Sequence, residues 1–223
     1  MKSALILSLI FIFCSSSLMA QEEKPFSKYL FKMSPQYLFQ NTLKAGVEVM
    51  NQPRTKSFTF LLNAVANNKN EDDRYRANPY NGAGLEIQTR KYLNPLTIQK
   101  SKRGKEYYQS VYFSGLVQGG SYNAKYDYST YTWDPVTQTS VSVDVKYKST
   151  VQNVALGFTI GLQRTLWKVL TIDGYIGAAY QISAVNVSGH KPNNDYFYEN
   201  SGILSPQYYG VLPKVGVMIG VTL

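Results

Sequence analysis

The chain has 223 residues, 23 of them lysine or arginine and 14 aspartate or glutamate, so its formal net charge is +9. Its one cysteine and one histidine exclude a disulfide framework and a multi-histidine metal site. The length is sufficient for one domain, and 19 tyrosines suit a surface where apolar and aqueous environments meet.

The N-terminus is typical of a secretory signal peptide. Lys2 precedes an apolar run over 4–13, which is shorter than the roughly 20 residues that span a bilayer. We predict cleavage after Ala20 and a short N-terminal segment over 21–28. A lipid anchor on Cys14 is the alternative, although the residue before it is bulky where such a signal has a small one.

The rest of the chain repeatedly alternates apolar residues with small or polar ones. Side chains alternate across a strand, so each such segment predicts a strand with one apolar face. An additional strand over 29–36 makes the number even, as is usual for membrane barrels. In chain order, the alternating segments are 43–50, 57–67, 84–92, 107–120, 154–163, 170–183 and 213–223.

Two of these segments depart from strict alternation. Leu61 and Val65 are apolar residues on the polar face of 57–67. In 107–120 apolar residues fall on both parities, which is compatible with a bulge or with a strand buried on both faces.

A hairpin is predicted to project beyond the membrane. Segments 121–128 and 141–148 also alternate, with Trp133, Asp134 and Pro135 between them at the tip. Short connections on one side and long loops on the other are typical of the two ends of an outer-membrane barrel. The predicted extracellular loop contacts are Tyr131, Trp133, Tyr196 and Tyr198.

The C-terminal segment sets the face that meets lipid. One parity is wholly apolar and the other is small or polar, which suits lipid outside and a narrow lumen inside. Backbone groups in lipid are satisfied only by helices and closed barrels. The predicted fold is therefore all-β, an antiparallel up-and-down transmembrane β-barrel of eight strands over 29–223. The predicted lipid-facing residues of the last strand are Val215, Val217, Ile219, Val221 and Leu223.

The chain resembles a family of small barrels on several segments. These are Leu-Glu-Ile-Gln-Thr-Arg-Lys-Tyr-Leu-Asn over 85–94, Tyr-Tyr-x-x-Val-Tyr-Phe over 107–113, and the glycine-spaced end. Together with the export signal they resemble the small Gram-negative outer-membrane barrels, including the uncharacterised DUF3575-type group and barrels like outer-membrane protein A. The resemblance implies recognition of the end by barrel assembly machinery, although Leu223 stands where an aromatic residue is usual.

The same parity places charged side chains inside the barrel. Side chains nearly fill the interior of eight strands, and buried charges need partners. We therefore predict an ion-pair network that closes the lumen; the alternative is a charged selectivity path through a pore. The predicted network consists of Lys44, Glu48, Glu86, Arg90, Asp173 and Lys214.

Catalytic motifs are not found in the sequence. The one enzyme hypothesis joins His190 with Ser188 and Glu199 as a lipid A-modifying site, but His190 is flanked by Gly189, Lys191 and Pro192, as in a solvated loop. No metal or other cofactor is expected.

The predicted function is that of a non-enzymatic, structural or surface-binding protein, present as a monomer. Its expected partners are outer-membrane lipid, lipopolysaccharide and, during biogenesis, the barrel assembly machinery. Export separates this basic chain from nucleic acid. A small channel or transport accessory is the second hypothesis, and the lipid A-modifying enzyme is the third.

Overall fold

A computed structural model describes most of the chain after the predicted signal peptide. The predicted signal peptide and all of the N-terminal segment except Lys28 lie outside the described residues. The structure describes residues 28–52, 54–66, 80–94, 97–100, 106–134, 138–167, 169–189 and 208–223.

The described residues form nine strands and one short 3₁₀ helix. The helix, Pro35–Gln40, lies between the first two strands. The strands are β1 (Tyr29–Met33), β2 (Thr42–Met50), β3 (Lys56–Ala66), β4 (Tyr80–Tyr92), β5 (Thr97–Lys100), β6 (Glu106–Asp134), β7 (Thr139–Leu166), β8 (Leu170–Gly189) and β9 (Gly210–Thr222).

The strands close into an antiparallel barrel with eight positions around its wall. The order is β1-β2-β3-β4-β6-β7-β8-β9, and β9 pairs with β1 to complete the ring. The short β5 continues the line of β4, because both pair with β6. Tyr92 lies opposite Tyr112 and Thr97 opposite Gln109. Residues 93–96 therefore correspond to residues 110–111 of β6, so the chain between β4 and β5 has two more residues than the facing part of β6. The predicted eight-strand barrel is confirmed.

The two ends of the barrel differ in the length of their connections. At one end, here called the turn end, residues 51–55 join β2 to β3 and residues 167–169 join β7 to β8. At the other end, here called the loop end, the connections are longer: residues 67–79 lie between β3 and β4, and residues 190–209 between β8 and β9. At the loop end β6 and β7 continue past their other neighbours, since β4 pairs with β6 only as far as Ala124. This extension is the predicted projecting hairpin.

Where side chains are described, most of the large apolar ones point outwards and most of the polar ones inwards. The exposed apolar residues form a belt around the wall, to which all eight wall positions contribute. The belt includes Phe31, Leu43, Phe58, Phe60, Leu62, Leu85, Ile87, Val111, Phe113, Val117, Val154, Leu156, Phe158, Ile160, Leu162, Ile172, Ile176, Ile182, Val215, Val217 and Ile219.

One prediction about a strand needs correction, and the structure excludes one of the two alternatives for another strand. The first strand ends at Met33 rather than at residue 36, because Pro35 cannot donate to a strand ladder and instead starts the 3₁₀ helix. Asn41, in a left-handed conformation, then turns the chain into β2. β6 contains no bulge, since its register with β7 is uninterrupted. Apolar residues occur at both odd and even positions of β6 because some of the residues that face the lumen are apolar.

The apolar lumen residues belong to small internal clusters. Leu61 packs with Tyr175 and Met218, while Val65 packs with Tyr122 and Val151 near the loop end. The exceptions in 57–67 therefore fill the interior instead of meeting lipid.

Candidate functional site

The charged side chains of the barrel wall converge inside the lumen at two levels. Lys44 and Glu48 lie four residues apart on β2, and Glu86 and Arg90 lie four residues apart on β4. Because side chains four residues apart share a strand face, each strand carries one charge to each level. All four are almost completely buried.

The level nearer the turn end holds two cations and two carboxylates. Lys32 Nζ lies 2.5 Å from Glu48 Oε2 and 2.7 Å from Asp173 Oδ2. Arg90 Nη1 lies 2.6 Å from Asp173 Oδ2 and 3.7 Å from Glu48 Oε2. All four side chains have 0% exposure. This four-charge cluster is neutral, and each charge faces two of the opposite sign, which offsets the desolvation of burial.

Tyrosine hydroxyls donate hydrogen bonds to both carboxylates of the four-charge cluster. Tyr92 donates its hydroxyl to Glu48 Oε1 at 2.5 Å, and Tyr112 donates to Asp173 Oδ1 at 2.7 Å. The Arg90 guanidinium also lies over the Tyr112 ring, 4.4 Å from its centroid. Both carboxylates therefore accept hydrogen bonds from groups other than the cations, as buried charges require.

The level nearer the loop end holds two cations and one carboxylate. Lys44 Nζ lies 2.9 Å from Glu86 Oε2, and Lys214 Nζ lies 3.5 Å from the same oxygen. Lys214 also donates to Gln118 Oε1, and the Lys44 ammonium lies 4.9 Å from the centroid of the Tyr37 ring. Among the described side chains this three-charge cluster carries one positive charge in excess.

Gln88 connects the two clusters. Its Nε2 donates to Glu86 Oε1 at 2.5 Å, and its Oε1 accepts from Arg90 Nε at 2.9 Å. The amide dipole therefore presents its donor to the carboxylate of one cluster and its acceptor to the cation of the other. The polar network is continuous between the two levels of the lumen.

Inward-facing glycines provide the space for large lumen side chains. A Cβ at Gly161 would lie 2.3 Å from the Tyr112 ring, and one at Gly216 would lie 2.6 Å from the Tyr175 hydroxyl. Since such separations are far below van der Waals contact, each ring occupies the volume that a side chain on the neighbouring strand would need. These two glycines are thus complementary in shape to tyrosines on the neighbouring strands.

The structure places all six residues of the predicted network in the lumen. It divides them between the two clusters and adds Lys32, which the sequence analysis missed. The signal for Lys32 is its alternation with the outward Phe31 in a strand that begins at Tyr29. The predicted lipid-facing residues of β9 point outwards, with Val215 64% and Leu223 68% exposed.

Of the remaining predicted residues, the structure describes three. Tyr131 and Trp133 lie in the projecting part of β6, opposite Ser142 and Ser140. Tyr196, Tyr198, His190 and Glu199 lie outside the described residues, while Ser188 lies exposed near the end of β8.

Neither a metal site nor a membrane-spanning helix is found in the part of the chain that the structure describes. No group of three or more histidine, cysteine or acidic residues there could hold a metal ion. No helix within the same residues is long and apolar enough to cross a membrane.

Comparisons with known proteins give one structural similarity and no sequence match. No family model matches the chain, and no curated protein matches it. Among solved structures, the crystal structure of Acinetobacter baumannii CarO is similar with a TM-score of 0.39 at 9% identity, over 90% of this chain and 100% of that chain. Membership of the DUF3575-type group therefore stays a prediction.

Proposed function

We propose that this chain is a monomeric, non-enzymatic β-barrel of the outer membrane that has a structural or surface-binding role and whose lumen is closed by its own side chains. The observation that carries the proposal is the buried contact between Arg90 Nη1 and Asp173 Oδ2, at 2.6 Å and 0% exposure. An ion pair that crosses the interior of a narrow barrel leaves no continuous path for solutes at its level.

The belt of exposed apolar residues supports a membrane location. Soluble monomers rarely expose contiguous apolar patches larger than a few hundred Å², whereas in this barrel the patch encircles the wall. Lipid satisfies such a belt from every direction, but a second copy would cover only one sector of it. The belt thus favours a monomer surrounded by outer-membrane lipid and lipopolysaccharide.

The projecting hairpin supports a surface-binding role. Beyond Ala124 and Tyr147, β6 and β7 pair only with each other among the described strands. In the proposed orientation this hairpin carries Tyr131 and Trp133 outside the cell, and Tyr196 and Tyr198 belong to the long connection before β9. Amphipathic rings of this kind are enriched in binding surfaces.

Membrane fractionation tests the barrel itself. Expressed with its signal, the protein is expected in the outer-membrane fraction and to migrate faster on a gel when unheated than after boiling. Recovery as a soluble periplasmic protein would overturn the proposal.

Planar-bilayer recording tests the closed lumen against the channel hypothesis. With a porin as positive control, the refolded protein is expected to show no stable conductance steps. Stable, large steps from the purified protein would contradict the closed lumen and favour the channel.

Lipid A mass spectra test the enzyme hypothesis. Cells that express the protein, its His190→Ala variant or an empty vector are expected to give the same lipid A species. A new acylation state that depends on His190 would replace the non-enzymatic proposal.

A further inference from the structure

The wall of the barrel is incomplete on one side, because β1 is shorter than the strands beside it. The register between β1 and β9 ends where Met33 meets Ile219, whereas β9 continues to Gly210. Beyond Met33, the strands β2 and β9 face each other without a strand between them. We call this part of the wall the notch, bounded by Thr42–Lys44 of β2 and Gly210–Val217 of β9.

The edge of β9 along the notch has the chemistry of an unpaired strand. Thr222 donates its backbone N–H to Val169, before β8, and Leu223 donates to Tyr29 on β1. Since successive residues alternate in direction, odd-numbered residues of β9 direct their backbone groups towards the notch. Pro213 is one of these, and its lack of an N–H suits an edge position.

A side chain of the 3₁₀ helix partly satisfies this edge. With its amide oriented to match both contacts, Gln36 donates to Val217 O at 2.6 Å and accepts from Val217 N at 3.3 Å. The helix therefore lies against the β9 side of the notch. On its other side Tyr37 contacts the Lys44 ammonium, while Phe39 is 92% exposed. The helix, rather than a hydrogen-bonded strand, covers the notch.

The three-charge cluster lies directly behind this cover. Lys44 is on β2 and Lys214 on β9, the two strands that bound the notch, and both ammonium groups approach the same oxygen of Glu86. A buried charge without a counter-ion is unfavourable, and an anion that reached this cluster would stabilise it. Among the described side chains the cluster is thus short of one negative charge, beside the gap between β2 and β9.

We propose that the notch is a binding site for an anionic, phosphate-bearing lipid of the surrounding leaflet. Its acyl chain lies against the apolar outer edges of the notch, at Leu43 and Val215, and its phosphate reaches Lys44 and Lys214. The inference rests on the proposed membrane location and goes beyond it by naming a ligand class. A membrane lipid is the occupant that fits, because the notch opens on the apolar belt and the charge behind it is positive.

Native mass spectrometry of the purified full barrel tests the proposal. The probes are phosphatidylglycerol and phosphatidylcholine with identical acyl chains, titrated into the protein in detergent. We expect bound phosphatidylglycerol at clearly higher occupancy, because only it carries a net negative charge. Equal occupancy of the two lipids, or binding of neither, would overturn the proposal.

Charge variants of the three-charge cluster are expected to change the affinity for phosphatidylglycerol in opposite directions. Lys214→Gln leaves Lys44 and Glu86 as a balanced pair, so phosphatidylglycerol affinity is expected to fall about tenfold, as for losing one hydrogen bond to a charged group. Glu86→Gln leaves two cations, so the affinity is expected to rise. Lys56→Gln, exposed at the turn end, serves as the control and is expected to change nothing.

Each variant is first checked for heat-dependent gel mobility, so that loss of the barrel is distinguished from loss of lipid selectivity. If Lys214→Gln does not fold, Lys44→Gln makes the same test from the other strand. An unchanged affinity in the folded lysine variant, or a lower affinity in Glu86→Gln, would contradict the site.

A photo-reactive residue locates the lipid on the wall. Val215 on β9 and Phe113 on β6 are both exposed, and β7 and β8 lie between their strands. In vesicles that contain both lipids, crosslinking at Val215 is expected to favour phosphatidylglycerol over phosphatidylcholine, while crosslinking at Phe113 follows their molar ratio. The same ratio at both positions would place the anionic lipid elsewhere and overturn the assignment to the notch.

Discussion

Arg90 and Asp173 join two distant parts of the barrel wall, with 2.6 Å between Nη1 and Oδ2. Arg90 belongs to β4 and Asp173 to β8, and β6 and β7 separate them along the wall. The contact therefore spans the lumen. Asp173 also accepts hydrogen bonds from Lys32 and Tyr112. Its carboxylate therefore binds side chains from three other strands.

Removing this carboxylate is expected to destabilise the barrel strongly. In Asp173→Asn, Lys32 and Arg90 share only Glu48, so a buried positive charge is left in excess. The expected loss is about 3–5 kcal/mol of unfolding free energy, measured by urea unfolding in lipid vesicles. Lys56→Gln removes an exposed charge and is expected to stay within about 0.5 kcal/mol. Equal stability of the two variants would show that the cluster is not structurally important.

Replacing both partners is expected to be less harmful than replacing one. Arg90→Met with Asp173→Leu leaves Lys32 paired with Glu48 at 2.5 Å, so no excess charge remains. Replacing a buried pair by apolar residues is often close to neutral. A double-mutant cycle on unfolding free energy measures the coupling. Additive effects of the two single changes would show that the two side chains act independently.

Gly161 is expected to tolerate no side chain. A Cβ there would lie 2.3 Å from the Tyr112 ring, whereas nothing lies within 4 Å of a Cβ at Gly174. We expect Gly161→Ala to lower the unfolding free energy by about 1–3 kcal/mol, as overpacking does, and Gly174→Ala to have little effect. The comparison uses the same substitution in the same barrel. A mild Gly161→Ala would mean that Tyr112 can move without loss of its contact with Asp173.

A charge on the apolar belt tests membrane depth. Val217 is an exposed belt residue of β9, and Val141, also exposed, lies in the projecting hairpin. Val217→Arg is expected to lose about 2–4 kcal/mol if its position is near the bilayer centre, while Val141→Arg is expected to be neutral. Unfolding from vesicles measures both. The reverse order would show that the belt does not contact lipid.

Labelling of single cysteines tests orientation, since the predicted mature chain contains none of its own. Ser140→Cys lies at the loop end and Gln52→Cys in a turn at the opposite end, and both positions are exposed. On intact cells a membrane-impermeant maleimide is expected to label the first and not the second. After membrane disruption both are expected to react. Labelling of residue 52 alone on intact cells would invert the proposed topology.

Much of the barrel follows from alternation alone. A wall one strand thick gives every residue one of two environments, so the parity of Val215 and Val217 identifies the lipid face and Lys214 the lumen face. The same reasoning places Glu86 and Asp173 inside. No long-range information is needed for this assignment, because each strand carries its own period.

The partition of the charges does not follow from alternation. Which cation meets which carboxylate depends on the registers of all the strands between them, as for Arg90 and Asp173, 83 positions apart. Parity also gives no information on where a strand stops. The end of β1 at Met33 results from Pro35 and the 3₁₀ helix, and the notch, with the clustering of Lys44 and Lys214 behind it, results from that end.

The brevity of β1 also determines how the ring is held shut. Among the described residues, β1 and β9 pair over Leu30–Met33 and Ile219–Thr222, with one further hydrogen bond from Leu223 to Tyr29, whereas β6 and β7 are joined along their whole length. On heating, a strand pair with few backbone hydrogen bonds opens more easily than a long one. We therefore expect the junction of β1 and β9 to be the first contact in the ring to open on heating.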